Sequence, residues 1–143
     1  MANKPKAKPD DIKPFWDVKN RKGRLIVRRI PQGLSFSVWP ATKRAVISQA
    51  VHVEGKGLRA LHKDMASGGV LGARVKCAEA PDHRYCYASM IAGDERAAGS
   101  FTIVDKVRKN ETLTWTVFLG PQAWTRLTNL LRETMALSRR RQE

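Results

Sequence analysis

The sequence predicts an α+β domain of antiparallel sheet and two helices, in the order strands, helix, strands, helix. Three observations support this. Short runs rich in Val, Ile, Phe and Trp recur between Gly, Pro and charged breaks, at the spacing of antiparallel strands. Two segments, one in mid-chain and one near the end, change to a helical period. The length of 143 residues suits one compact domain with a sizeable core and leaves no room for two ordinary ones.

Residues 1–14, MANKPKAKPDDIKP, mix Lys and Pro with almost nothing to bury, so burial cannot offset the entropy of ordering them. They are expected to form a disordered basic arm ahead of a single α+β domain at 15–137. Strands are expected at 24–30, 34–39 and 44–53. In GKGLRALHKDMASGG, Leu58, Leu61 and Met65 recur at helical spacing, and Gly68–Gly69 supply a stop. Strands resume at 70–80, 84–92, 100–109 and 112–119, joined by breaks at PDHR, AGDERAAG and KNE. The closing helix opens with Pro121 in its first turn and sets Trp124, Leu127, Leu130, Leu131 and Met135 on a stripe opposite Arg126, Asn129, Arg132 and Glu133. Residues 138–143, with Arg139–Arg141, read as a basic tail. The doubled strands-then-helix order suggests a structural repeat, although the halves share little sequence.

Lys and Arg number 27 against 13 Asp and Glu, a formal charge of +14. Such an imbalance carries self-repulsion that a polyanion relieves. Nucleic acid fits best among the candidates, ahead of an anionic membrane surface or an acidic protein. No run approaches the ~18 apolar residues of a spanning helix, and the first twenty residues lack the apolar block of a secretory signal. A soluble, cytoplasmic protein with no membrane association is expected.

Cys77 and Cys86 are too few for a disulfide scaffold and fit a reducing compartment. A hairpin around PDHR sets Cys77 opposite Cys86, close enough in principle for a cross-strand bridge, with buried reduced thiols the expected state. Adding His83 gives C-x5-H-x2-C, which lacks the paired spacing of a zinc ribbon or finger, so neither metal nor cofactor is expected. No phosphate-cradling loop, dinucleotide fingerprint, metal-binding His-Glu helix or nucleophile elbow occurs. His52, His62 and His83 are isolated, and Asp82, Asp94, Glu95 and Asp105 form no persuasive acidic constellation. An enzyme is not expected.

Candidate contacts follow from the strand period. In LSFSVW, Leu34, Phe36 and Val38 share one face while Ser35, Ser37 and Trp39 share the other, so Trp39 points away from the apolar set. An outward indole is costly unless it stacks on a base or lies at an interface. Arg24 and Arg28 share a face with Ile26, and Arg29 projects from the opposite one. Arg74 and Lys76 share a face, two cations ~7 Å apart, near the spacing of phosphates along an extended strand. Lys19, Arg21, Lys22 and Arg24 cluster beside Phe15 and Trp16, a combination of charge and stacking surface that is equally compatible with a solvated segment. Lys43, Arg44, Lys106, Arg108 and Lys109 add cations. Tyr85 and Tyr87 make a stacking pair if theirs is the open face, which the pattern leaves undecided. Trp115 and Trp124 are expected in the core.

The run TWTVFLGPQAWTRLTNLL, through Leu119, Pro121, Trp124 and Leu127, resembles the strand-to-helix junction Leu-x-Pro-x-x-Trp-x-x-Leu of the positive cofactor four single-stranded-DNA-binding family. The preceding FTIVDKVRKNETLTW looks like that family's strand and basic hairpin, so the resemblance covers about residues 70–137. Gly120 stands where the family usually carries a polar cap. The doubled element order is similar to the Whirly and Pur architectures. The resemblance implies a curved antiparallel sheet backed by helices, single strands lying across basic and aromatic residues, and assembly into dimers or larger rings. The expected function is therefore sequence-tolerant binding of single-stranded DNA or RNA. The rivals are a basic protein that docks an acidic partner and a structural nucleoprotein component.

Overall fold

The computed structural model describes residues 12–40, 46–68 and 72–142. β1 (Phe15–Trp16), β2 (Arg24–Ile30), β3 (Gly33–Trp39) and β4 (Val51–Glu54) form one antiparallel sheet, sheet A, and α1 (Lys56–Ser67) follows it. β5 (Val75–Lys76), β6 (Arg84–Met90), β7 (Gly99–Arg108) and β8 (Glu111–Leu119) form a second, sheet B, and α2 (Pro121–Gln142) closes the chain. The α+β expectation holds: two antiparallel four-stranded sheets and two helices. No helix among the described residues is long and apolar enough to cross a membrane.

Strand alternation decides which face is buried. Leu34, Phe36 and Val38 of β3 are fully buried, with Leu25 and Val27 opposite them on β2. In sheet B the inward set is Val75, Cys86, Ala88, Phe101, Ile103 and Val117. The Phe36 and Phe101 rings meet 5.0 Å apart between the sheets, and one apolar cluster draws on both sheets and both helices. Each buried Val, Leu, Ile or Phe among these contributes about 1.5–3 kcal/mol. The sheets also join at their edges: Val18 N–H donates to Phe118 C=O at the β1/β8 seam, and Ala78 N–H to His52 C=O at the β4/β5 seam.

The helices follow their periodicity. Leu58, Leu61 and Met65 of α1 are buried, and Gly68 ends the helix in the left-handed conformation at φ 73°, its N–H donating to Asp64 C=O. Trp124 of α2 ties three elements together. Its Nε1–H donates to Met65 C=O at 3.2 Å, and its ring lies against Gly99, where a Cβ would stand 2.1 Å from the indole. Leu127, Leu130 and Leu131 continue the buried stripe, while Arg126, Arg132 and Glu133 face solvent.

Several expectations are corrected. Among the described residues of the run 44–53, strand begins only at Val51, because the Ser48 hydroxyl accepts the Val38 N–H that a ladder carbonyl would take; residues 44 and 45 lie outside the described residues. Among the described residues of the run 70–80, which start at Gly72, only Val75–Lys76 are strand. Asp64 of α1 accepts the Ala73 N–H, and beyond the strand Ala78 bonds across to sheet A. Cys86 faces Val75, and the Cys77 N–H donates to Arg84 C=O, so the cysteines are diagonal rather than opposite. Both are free and buried, and burial, with Cys77 nearby, holds the Cys86 thiol far above its ordinary pKa. Trp115 is only half-buried, at the core's margin, its Nε1–H donating to Val46 C=O at 2.9 Å. The two-residue β1 was not expected. Of the arm at 1–14, residues 1–11 lie outside the described residues, whereas Ile12 packs against the core. The backbone of α2 runs through the expected tail to Gln142.

Candidate nucleic-acid interface

The outward side chains of sheet A form a row across three strands. Trp16 pairs with Arg24 and Arg24 with Trp39, so one guanidinium lies between two indoles, 5.3 Å from the first ring and 4.6 Å from the second. Contacts at these distances contribute about 0.5–1 kcal/mol each at exposed sites and hold the rings apart. Trp16 remains 53% exposed and Trp39 40% exposed. Further along the same face come Ile26 beside Ser37, then Arg28, Ser35 and His52 in line. His52 Nδ1 sits 2.8 Å from Glu79. Arg28 is exposed with no acidic partner among the described residues.

The loop from Asp17 to Gly23 is fixed by its own hydrogen bonds. Asp17 Oδ1 accepts the backbone N–H groups of Lys19 and Asn20, Asp17 N–H donates to Gly23 C=O, and Gly23 N–H donates to Asn20 C=O. Arg21 and Lys22 are thereby presented at an exposed turn. Lys19 is placed differently: its Nζ pairs with Asp94 at 2.9 Å and lies 4.5 Å over the Phe118 ring, joining this loop to the one after β6. The Lys19 hydrogen bond, followed by backbone N–H groups of Arg96 and Ala97, lowers the Asp94 pKa to about 2.

Sheet B carries a second outward group. Lys76 pairs with Tyr85, Arg74 lies 4.9 Å over the Tyr85 ring, and Tyr85 and Tyr87 stack at 6.3 Å. The register resolves the open choice of face, because Cys86 and Ala88 point inward and the two half-buried tyrosines outward. Lys106, Arg108 and Lys109 are exposed at the β7–β8 hairpin, where a bulge interrupts the ladder between Lys106 and Arg108. The Arg108–Glu111 approach of 3.9 Å, open to water, contributes little.

Two concavities adjoin the sheet A row. A cleft of about 330 Å³ is bounded by Asp17, Asn20, Gly23, Trp39, Thr114 and Trp115, among others, between the end of β3 and the middle of β8. A wider groove of about 970 Å³ runs past Lys13, Trp16, Arg96, Pro121 and Arg126 at the start of α2. Arg126 anchors the N-terminal segment, donating to Pro14 C=O at 2.9 Å with its guanidinium 4.1 Å from the Phe15 ring. The strand period could not find Asp17, Asn20 and Thr114 of the cleft, or Arg96 and Arg126 of the groove, because each set is assembled from distant parts of the chain. The sole local signal is the acid two and three residues before the N–H groups it accepts, and that signal predicts a turn, not a site.

The candidate residues thus divide between two faces. Trp16, Arg24, Arg28 and Trp39 belong to sheet A, with Arg21 and Lys22 on its loop. Arg74, Lys76, Tyr85, Tyr87, Lys106, Arg108 and Lys109 belong to sheet B. Lys43 and Arg44 lie outside the described residues. Asp105 is buried and pairs with Arg84, whose guanidinium also donates to Ala50 C=O. His83 is exposed on a turn, and no group of three metal-ligating side chains occurs among the described residues. No family model, curated protein or solved structure matches the chain.

Proposed function

We propose that this chain binds single-stranded nucleic acid, DNA or RNA, largely without regard to sequence, and that it acts as a binding protein rather than an enzyme. The observation that carries the reading is the Trp16–Arg24–Trp39 row, with two exposed indoles separated by a cation on the outward face of a sheet. Rings so placed offer stacking to unpaired bases, whose faces are hidden in a duplex. The small side chains of Ser35 and Ser37 leave the central strand low, while Arg28, Arg21 and Lys22 are cations within the same sheet and loop. The net charge of +14 supports a polyanionic partner in general. Stacking surface is what favours unpaired strands. Assembly into dimers or larger rings belongs to the same proposal, drawn from the resemblance of residues 70–137 to the positive cofactor four family.

The test is a competition among single-stranded DNA, RNA and duplex DNA at two salt concentrations. The reading expects both single strands to displace a labelled single strand ahead of duplex, with affinity falling steeply as salt rises. Equal competition by duplex would favour a structural nucleoprotein component, and no binding at low salt would favour docking to an acidic protein.

A further inference from the structure

The cleft beside Trp39 has features that a sequence-tolerant stacking surface does not need. Asp17 is only 3% exposed and lines the cleft. Its Oδ1 is engaged by two backbone N–H groups, whereas Oδ2 has no protein partner among the described residues and is open to solvent. A Cβ built on Gly23 would stand 3.4 Å from Asp17 Cβ and 3.5 Å from the Trp39 carbonyl oxygen, so the Asp17 loop and the end of β3 approach each other closely at a position with no side chain. Arg24 covers part of the indole, which also lines the cleft. Asn20 and Thr114 complete the polar rim, and neither side chain has a hydrogen-bond partner among the described residues. A volume of about 330 Å³ is at the low end for a small-molecule site, room for one ring system.

We propose that this cleft receives one base of the bound strand against Trp39, and that Asp17 Oδ2 accepts a hydrogen bond from the base's exocyclic amine, favouring cytosine over thymine or uracil. The proposal rests on the single-strand reading above. Oδ2 opens to solvent rather than lying as a buried orphan, so a ligand donor can take the place of water there, and Asp is a suitable acceptor for cytosine N4. Thymine and uracil present a carbonyl oxygen at that position, which a carboxylate repels. Asn20 and Thr114 carry the donors that suit the ring nitrogen and remaining carbonyl of cytosine.

The experiment is fluorescence-anisotropy binding of the full chain to labelled oligonucleotides of deoxycytidine, deoxythymidine and N4,N4-dimethyldeoxycytidine. The expected result is tighter binding of the deoxycytidine oligomer than of the deoxythymidine oligomer by about tenfold. The dimethylated oligomer, which keeps ring and charge but has no amine hydrogen, falls to the deoxythymidine level or below. Asp17→Asn keeps the oxygen that holds the loop and replaces Oδ2 with a donor, so the preference shrinks to parity or reverses. Should that variant not fold, the dimethylated oligomer tests the same contact on the wild-type chain. Equal binding of all three oligomers, with single strands still bound, overturns the base pocket and leaves the single-strand reading standing. No binding of any of them overturns both.

Discussion

On sheet A the outward rings are indoles, 53% and 40% exposed and separated by one guanidinium; on sheet B they are half-buried phenols stacked on each other at 6.3 Å. Both faces carry arginine over aromatic rings, but the consequence differs. On sheet B the rings already have partners, and Arg74, Lys76 and the Lys106–Lys109 hairpin provide charge. On sheet A much ring surface still meets water. Under the proposed single-strand binding, stacking on bases would fall to sheet A and long-range attraction of phosphates to both.

The largest expected effect is on sheet A. Trp39→Ala loses about 1–3 kcal/mol of single-strand affinity, roughly 5- to 150-fold, while the thermal midpoint moves little because the ring is exposed. Equilibrium binding and thermal unfolding of the same sample check both parts. On sheet B, Arg74→Ala with Lys76→Ala makes the dependence of log affinity on log salt shallower by about 1.4, at about 0.7 per phosphate contact on a single strand. A salt titration reads this directly, and an unchanged slope would remove these cations from the interface. Tyr85→Ala is expected to cost less than Trp39→Ala, under about 1 kcal/mol, since it breaks a ring pair rather than a free stacking surface. A larger loss there would collapse the distinction between the faces.

The smallest effect concerns the Lys19–Asp94 tie. Asp94 has its pKa lowered to about 2, so its contribution is complete above the ordinary carboxylate range and is lost as pH falls through about 2. Asp94→Asn should therefore be less stable than wild type near neutral pH and converge with it at the acid end of a pH series of unfolding curves.

Legibility in the sequence followed the length and period of each element. β2 was readable as an apolar run at 24–30, though not its buried face, because basic and apolar residues interleave there; both helix faces were readable because residues such as Leu58, Leu61 and Met65 repeat at a fixed interval. β1 was not, since Phe15 and Trp16 are too few to show a period. Within the described parts of the expected strands at 44–53 and 70–80, side-chain hydrogen bonds, Ser48 Oγ to the Val38 N–H and Asp64 to the Ala73 N–H, stand where ladder pairing was expected, which alternation does not register. The same limit applies to the candidate site. That Trp39 faces outward was legible from Leu34, Phe36 and Val38, but Arg24 between Trp39 and Trp16 depends on a pairing register set across three strands. Lys19 had the composition of a contact residue, yet the fold pairs it with an acid 75 positions away.

The most direct test of the central claim is a titration of wild type and Trp39→Ala with one oligonucleotide, single-stranded and then annealed to its complement, at near-physiological salt. The account predicts that wild type binds the single strand at least about tenfold more tightly than the duplex, and that Trp39→Ala loses most of this difference while remaining folded. Equal affinity of wild type for both forms, or a folded Trp39→Ala protein that keeps the full difference, would contradict it.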